Sequence, residues 1–298
     1  MIGRATRVGI AIATLGIVAT TGMAMAALAP HTGDPPGIAD ARDAATTFAQ
    51  APVSMPGGPM TRGSEPGSIG GSASQTAPEG YDGSYEFVRI RYEAGGGGGF
   101  FRSREPEWAH DYDRADREII SVLDEVTNMD VRPDGYRVLR MDDPEVFNFP
   151  VVYLVEIGYW NPKPEELRAL DAYLDKGGFL IVDDFRGGQL RNLLWIMNQV
   201  APELEVMEVP DDHAIFDSFF RIEEPRALPT HPVYGSLSPV YLGLFEDNDP
   251  TGRLMAIFNY DNDIAEWWET FSTGFYPIDL SNEAFKFGVN YVVYAHTR

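Results

Sequence analysis

Two adjacent aspartates close a short apolar stretch in the middle of the chain. Asp183 and Asp184 follow the run Phe179–Val182, and paired glycines flank the segment on both sides. This pattern predicts a buried strand that brings carboxylates to the edge of a sheet, where α/β proteins usually bind their ligands. Because successive strand residues point to opposite faces, we expect one of the two acids to face a crevice and the other to face the opposite layer.

A histidine later in the chain could complete an acid–base pair with one of these acids. If the loop of His213 lies at the same edge, its imidazole could act as general acid or base while Asp184 fixes its tautomer. In the competing structural interpretation, Asp184 accepts backbone N–H bonds at the start of the next helix, and His213 belongs to a turn. Further candidates for ligand binding are Asp183, Glu156, Trp108, Asp111, Asp212, Asn262, Asp263 and Trp268.

The sequence predicts no metal site and no cofactor. The loop Asp261–Glu269 is rich in the oxygen ligands that Ca²⁺ prefers, but its spacing does not match an EF-hand. His110 and His296 have no paired ligand at metal spacing, and His231 with Pro232 is predicted to form a turn, so surface or capping roles are predicted for all three histidines. Trp268 is interpreted either as a stacking platform for a ligand such as a sugar or as a cover over the core.

Composition excludes several classes of function. The formal net charge of −22 disfavours nucleic acid as a partner, because such binding depends on clustered Lys and Arg. The chain has no cysteine, which excludes disulfides, thiolate metal sites and a cysteine nucleophile. No Gly-x-Ser-x-Gly elbow occurs in the region predicted to fold, so a serine hydrolase is poorly supported.

The N-terminal third is predicted to lie outside the folded domain. Residues 1–29 carry arginines, an apolar run and then small residues, the order of a secretory signal peptide that is either cleaved or retained as a membrane anchor. Residues 30–80 are rich in Pro, Gly, Ser and Ala, which predicts a disordered linker. An α/β domain is predicted over residues 81–298, in a protein exported to the periplasm or beyond.

Strand and helix patterns alternate through the predicted domain. Strands are predicted at Tyr85–Tyr92, Tyr136–Met141, Val151–Gly158, Phe179–Asp184, Leu204–Val209 and Arg253–Asn259. Helices are predicted at Ala115–Val126, from Pro164 to the glycines at 177 and 178, at Gln189–Val200 and at Asn282–Tyr294. This alternation predicts a three-layer α/β sandwich with a mostly parallel sheet, of the flavodoxin-like kind.

Several short motifs resemble, in order, a bacterial domain-of-unknown-function family, number 4159. They are Trp108, Asp111-Tyr112 and Ala115-Asp116; Asp143-Pro144 with Phe147 and Pro150; Gly177–Leu180 with Asp183–Phe185; Pro210 with Asp212-His213 and Ile215-Phe216; Asn262-Asp263 with Trp268-Glu269; and Gly288–Asn290 with Val293–Ala295. The sequence departs from the family pattern at Ala214, where proline is expected, and at Arg186, where tryptophan is expected. Arg186 is therefore expected to neutralise the neighbouring acids.

The resemblance implies a class I glutamine amidotransferase-like fold related to the ThuA-like proteins. In a true glutaminase of that fold, a cysteine follows a central strand, and by position the equivalent turn here carries Asp183 and Asp184. We therefore expect a degenerate, cysteine-free domain that binds a small molecule, a glycan or an envelope protein at the strand edge. The alternatives are a hydrolase that acts on a small or carbohydrate-like substrate through Asp184 and His213, and a structural component of a cell-envelope assembly.

Overall fold

A seven-stranded sheet forms the centre of the protein in the computed structural model. The structure describes residues 83–95, 106–230 and 237–298. The predicted signal peptide and linker, His231, and all of the glycine run at 95–99 except its first residue lie outside these ranges.

The sheet is mostly parallel, as the alternation of elements predicts. Its strands are β1 (Tyr85–Ile90), β2 (Val131–Leu139), β3 (Val151–Val155), β4 (Phe179–Phe185), β5 (Val206–Glu208), β6 (Val240–Phe245) and β7 (Leu254–Tyr260). They are ordered β2-β1-β3-β4-β7-β6-β5, and β6 runs antiparallel to both of its neighbours. The strand order reverses between β1 and β3, so the switch point of the sheet lies there.

Helices cover both faces of the sheet. They are α1 (Arg114–Val126), α2 (Pro164–Asp175), α3 (Leu190–Val200), α4 (Ala265–Glu269) and α5 (Ile278–Thr297). Apolar side chains of α1, α4 and α5 pack on one face, and those of α2 and α3 pack on the other. Strands buried on both sides explain why β3 and the first four residues of β4 are continuously apolar, and the layers are those of a flavodoxin-like fold.

The best-signalled helix forms where it is predicted. Pro164 occupies the first turn of α2, and the side chain of Glu166 accepts a hydrogen bond from the backbone N–H of Lys163 over 2.9 Å. The helix ends before Gly177, whose φ of +96° favours glycine. Both signals are local, which is why sequence alone predicts the start and the end of α2.

Three elements differ from the predictions, and the first is β2, which begins at Val131, five residues before the predicted strand. No strand is predicted at β6, and Gly243 interrupts its apolar pattern. A Cβ there would lie 2.4 Å from Cδ1 of Leu254 and 2.9 Å from Cγ2 of Val209, so the packing around this position favours glycine. α4 occupies part of a segment predicted as a loop, because the buried side chain of Asp183 organises the start of this short helix. In the described part of the chain, no helix is both long and apolar enough to cross a bilayer.

Candidate functional site

Ionisable side chains converge at the carboxyl ends of the parallel strands, beside the switch point. His110 and Asp111 belong to the segment between β1 and α1, and Glu156 follows β3 directly. Asp184 lies at the end of β4, and Asp263 lies between β7 and α4. Four separate segments of the chain therefore supply the cluster, in the crevice where open α/β sheets bind ligands.

The centre of the cluster is a hydrogen bond between His110 and Asp184. Nδ1 of His110 donates to Oδ2 of Asp184 over 2.6 Å. The histidine side chain is 48% exposed, whereas that of Asp184 is 5% exposed. An accessible imidazole thus rests on a buried carboxylate, which fixes the orientation of the ring.

Other carboxylates surround the same imidazole. Oδ1 of Asp111 lies 3.9 Å from Nε2 of His110, and Oε1 of Glu156 lies 4.0 Å from Nδ1. Asp263 is buried and offers a carboxylate oxygen within 4.8 Å of ligand atoms of His110 and Asp184. Among the residues that the structure describes, His110, Asp184 and Asp263 form the group whose ligand atoms lie close enough together to hold a metal ion.

Burial and mutual repulsion change the protonation of these groups. The hydrogen bond to Asp184 raises the pKa of His110 to about 10, although partial burial opposes the shift. Burial, followed by the charge of Asp184, raises the pKa of Glu156 to about 8. Burial also raises the pKa of Asp111 and that of Asp263 well above the ordinary range. The site is therefore a desolvated set of interacting acids around one cationic imidazole.

Acidic residues of this edge adopt left-handed backbone conformations. Glu156 and Asp184 both have φ of 50°, Asp261 has 54° and Asp111 has 60°. Side chains other than glycine seldom adopt such angles, although Asp is more tolerant than most, and strained residues of this kind cluster at functional sites. Three neighbouring strands, β3, β4 and β7, thus end in an acid whose backbone turns sharply at the edge.

The left-handed turn at Asp184 changes the alternation that the sequence predicts. Leu180, Val182 and then Phe185 pack in the same apolar layer, so Phe185 rather than Asp184 continues that face of β4. The side chain of Asp184 instead extends from the edge of the sheet to His110, with which it forms a hydrogen bond. The pairing of β4 with β7 is irregular over the same residues, between Val182 and Phe185.

Asp183 has a structural role that the sequence interpretation gave to its neighbour. The carboxylate of Asp183 is fully buried and accepts hydrogen bonds from the hydroxyl of Tyr153, the side-chain amide of Asn259 and the backbone N–H groups of Ile264 and Ala265. Burial raises the pKa of Asp183 to about 6, and the hydrogen bonds oppose this rise. Asp183 therefore fixes the start of α4, and Asp184 is the acid that faces the site.

The structure does not form the predicted pair of Asp184 and His213. The His213 ring packs against Phe245 and Tyr294, next to Leu254 at the first residue of β7. Asp184 lies at the other end, and the seven residues of β7 span ~20 Å at about 3.3 Å per residue. The His213 loop follows β5, which runs parallel to β7, but the chain then folds back over the sheet face that carries α5, so the ring reaches Phe245 and Tyr294 at the amino edge.

The amino edge around His213 is a different environment. Nδ1 of His213 accepts a hydrogen bond from the backbone N–H of Ile215, and burial lowers the pKa of the imidazole. His213 and the exposed Asp212 line an open groove of about 340 Å³ with Arg298. His213 thus caps a turn, as the structural interpretation predicts.

The remaining candidates lie at different depths. Trp268 is buried in the core against Tyr153 and Phe285, so it covers the core rather than forming a platform. Asn262 is also buried, and its amide donates to the hydroxyl of Tyr241. Trp108 is partly buried two residues before His110, and its carbonyl accepts from Arg89.

His110 is the functional residue that sequence reasoning missed. No partner stands near it at metal spacing in the sequence, because its partners come from other strands. The available signal was its place after β1, since the carboxyl ends of parallel strands share one edge. The expectation that Arg186 neutralises the acids is met only in part: its charge opposes the rise in the pKa of Glu156 and of Asp261, but the hydrogen bond to Asp184 comes from His110.

One comparison with known proteins identifies a family. A family described as a domain of unknown function, DUF4159, matches residues 86–296, which include every residue of the cluster. No curated protein matches the sequence. Since the family match covers well over half of the chain, the protein belongs to the DUF4159 family.

Proposed function

We propose that this domain binds a small polar ligand at the carboxyl edge of its sheet, over His110, Asp111, Glu156, Asp184 and Asp263. The observation that carries the proposal is the convergence of these five ionisable side chains from four chain segments at the switch point. A fold that needed only stability would not gain from four clustered carboxylates, because their desolvation and repulsion both cost free energy.

The chemistry of the cluster favours a ligand that donates hydrogen bonds. Carboxylates accept hydrogen bonds and attract cations, so hydroxyl and amino groups are the complementary partners. Sugars and amino sugars offer several such groups. Because the imidazole of His110 is accessible, a ligand can contact it first and then reach the buried acids below it.

The proposal includes a relation to the amidotransferase-like folds. By position, Asp184 stands where those folds place a cysteine, and the chain contains no cysteine. We take the domain as one in which the edge still binds but no thioester forms. Flavodoxin-like layering of the sheet supports this relation at the level of architecture alone.

The test is ligand-dependent thermal stability. A panel of metabolites, sugars and glycans is incubated with the wild-type protein, with Asp184→Asn and with Asp124→Asn. Asp124 lies exposed on α1, so its variant is a control with the same change of charge. Ligands that raise the melting temperature of the wild type and of Asp124→Asn, but not of Asp184→Asn, support the proposal. Hits that persist in Asp184→Asn contradict it.

A hydrolase is the second candidate, and the 2.6 Å bond between His110 and Asp184 favours it. A histidine oriented by a carboxylate is a common acid–base arrangement, and this pair replaces the one with His213. Chromogenic glycosides and esters test the activity directly. Turnover that disappears in His110→Gln but persists in His213→Asn would make catalysis the function of the site.

Export to the cell envelope remains part of the proposal and depends on residues 1–29 of the sequence. Expression in a bacterial host followed by N-terminal sequencing of the secreted protein tests it. A mature terminus between residues 26 and 30 supports cleavage and export. Full-length protein in the soluble cytoplasmic fraction would contradict both cleavage and anchoring.

A further inference from the structure

We infer that His110, Asp184 and Asp263 bind a first-row divalent cation of the Zn²⁺ or Mn²⁺ kind, which the polar ligand then contacts. The inference rests on the proposed function, because it takes the same edge as the ligand site and names its chemistry. The sequence predicts no metal here, since His110 has no paired ligand at metal spacing.

The geometry of the three side chains suits one ion. Each offers a ligand atom, and these atoms all lie within 4.8 Å of one another. Ligand atoms that share a tetrahedral zinc at about 2.0–2.2 Å lie roughly 3.5 Å apart. The spacings in the structure, 2.6 Å between Nδ1 of His110 and Oδ2 of Asp184 and at most 4.8 Å between one ligand atom of each residue, lie on either side of that value, so shifts of about an ångström would bring the atoms to it.

A buried and unsatisfied oxygen supplies an independent sign of a ligand. Oδ2 of Asp111 is inaccessible to solvent and has no hydrogen-bond partner among the described residues, and the whole side chain is 2% exposed. Its other oxygen lies 3.9 Å from Nε2 of His110, so the carboxylate borders the cluster. Buried polar atoms are rarely left unpaired, and water bound to a metal ion would donate to this oxygen.

The nearest buried arginine does not satisfy Asp111. Nε and Nη2 of Arg89 donate to Asp116, and Nη1 donates to the backbone carbonyls of Trp108 and His110. Those two bonds to carbonyls hold the backbone of His110 in place. The positive charge of Arg89 is thus paired with Asp116, and its side chain donates no hydrogen bond to Oδ2 of Asp111.

The partners of the ligands point to a prepared site. Oδ1 of Asp263 accepts a hydrogen bond from the backbone N–H of Glu266 over 3.1 Å, which orients the carboxylate. His110 is held through its carbonyl, and Asp184 lies at the end of a buried strand. Bonds of this kind orient metal ligands and raise metal affinity.

The donor set selects the class of ion. One imidazole nitrogen with two carboxylates suits Zn²⁺, Mn²⁺ or Fe²⁺, whereas Ca²⁺ and Mg²⁺ prefer oxygen ligands throughout. Three protein ligands leave a coordination position open. Because His110 is 48% exposed, that position is accessible to water or to a hydroxyl group of the ligand.

The experiment measures metal binding to the full-length protein after removal of metals with a chelator. ZnCl₂, MnCl₂, CaCl₂ and MgCl₂ are titrated separately by calorimetry, and melting temperatures are recorded at saturation. We expect one Zn²⁺ or Mn²⁺ per chain and a rise in melting temperature of ~5–10 °C at 100 times the dissociation constant. Tighter binding of Ca²⁺ than of both Zn²⁺ and Mn²⁺ would overturn the assignment.

Three variants locate the ion. His110→Gln and Asp263→Asn are expected to weaken binding at least ~100-fold, and Asp124→Asn is expected to bind like the wild type. The glutamine replaces a half-exposed ring and the asparagine keeps the shape of the carboxylate, so both variants should fold in the presence of chelator. Circular dichroism checks that they do. Binding that survives both variants contradicts the inference.

The polar-ligand panel, repeated with and without chelator, separates the two proposals. Ligand binding at Asp184 that is unchanged by chelator supports the proposed function and overturns the metal. Metal binding at His110 and Asp263 without any organic ligand supports the metal and overturns the proposed function. Loss of ligand binding on chelation supports both.

Discussion

The two edges of the sheet each present a histidine, and their surroundings differ in every respect. At the carboxyl edge, His110 is bonded to Asp184 among other acids, and its pKa is raised to about 10. At the amino edge, His213 packs between aromatic rings, accepts a bond from the backbone, and has a lowered pKa. Residue type and nearby motif therefore do not identify the functional histidine. The edge of the sheet at which each loop packs distinguishes the two, and it is set by tertiary contacts of the loop.

The largest expected effect comes from removing the buried arginine below the carboxyl edge. Arg89→Met leaves Asp116 buried without its partner and frees the backbone of His110, so the free energy of unfolding should fall by about 3–5 kcal/mol. Urea denaturation measures this change. Arg117→Met removes a largely exposed pair with Asp113 and should cost less than ~1 kcal/mol. Equal losses in the two variants would contradict a buried structural role for Arg89.

The second-largest expected effect distinguishes the structural role of Asp183 from the role of its neighbour Asp184. Asp183→Ala removes the acceptor for several buried donors at the start of α4 and should cost about 3 kcal/mol in stability. Urea denaturation again provides the measurement. A cost below ~1 kcal/mol would show that α4 does not depend on this carboxylate.

Asp184→Asn is expected to change stability little and binding at the edge strongly. The loss of a charged hydrogen bond to His110 is offset by weaker repulsion from Asp111 and Asp263, so stability should change by less than ~1 kcal/mol. Binding at the edge should nevertheless fall at least ~100-fold. Calorimetry and urea denaturation of the same sample distinguish the two results. A large loss of stability with unchanged binding would make Asp184 structural.

The smallest effect concerns the amino edge and appears only on acidification. Burial favours neutral His213, so the stability that it contributes is present above its unfolded pKa of about 6.5 and is lost as pH falls through its lower folded value. Asn at this position can still accept from Ile215. The wild type should therefore lose more stability than His213→Asn below pH 6.5, as measured by denaturation across pH. Parallel curves for the two proteins would contradict this.

Much of the fold can be predicted because its signals are local. Pro164 and the glycine at 177 fix α2, and the apolar run before Asp183 fixes β4, without any knowledge of the rest of the chain. β6 was missed because Gly243 breaks its pattern for a reason that lies in β7, where Leu254 approaches closely. Its antiparallel direction is likewise invisible in the sequence.

The candidate site could be predicted only in part, since its geometry is not local. Strand ends predict the carboxylates of Glu156 and Asp184. Nothing in the sequence Asp183-Asp184 indicates the left-handed backbone of Asp184, which turns the Asp184 side chain towards His110. The pairing of His110 with Asp184 joins residues 74 positions apart, and no spacing rule connects them.

A titration with Mn²⁺ followed by NMR of the histidine ring signals tests the carboxyl-edge site most directly. Mn²⁺ is paramagnetic, and it broadens signals steeply with proximity. The His110 signal is expected to disappear at low Mn²⁺, whereas the His213 signal, at the opposite edge ~20 Å along β7, is expected to broaden far less. Loss of the His213 signal first, or persistence of His110 at one equivalent of Mn²⁺, would contradict a metal-binding carboxyl edge.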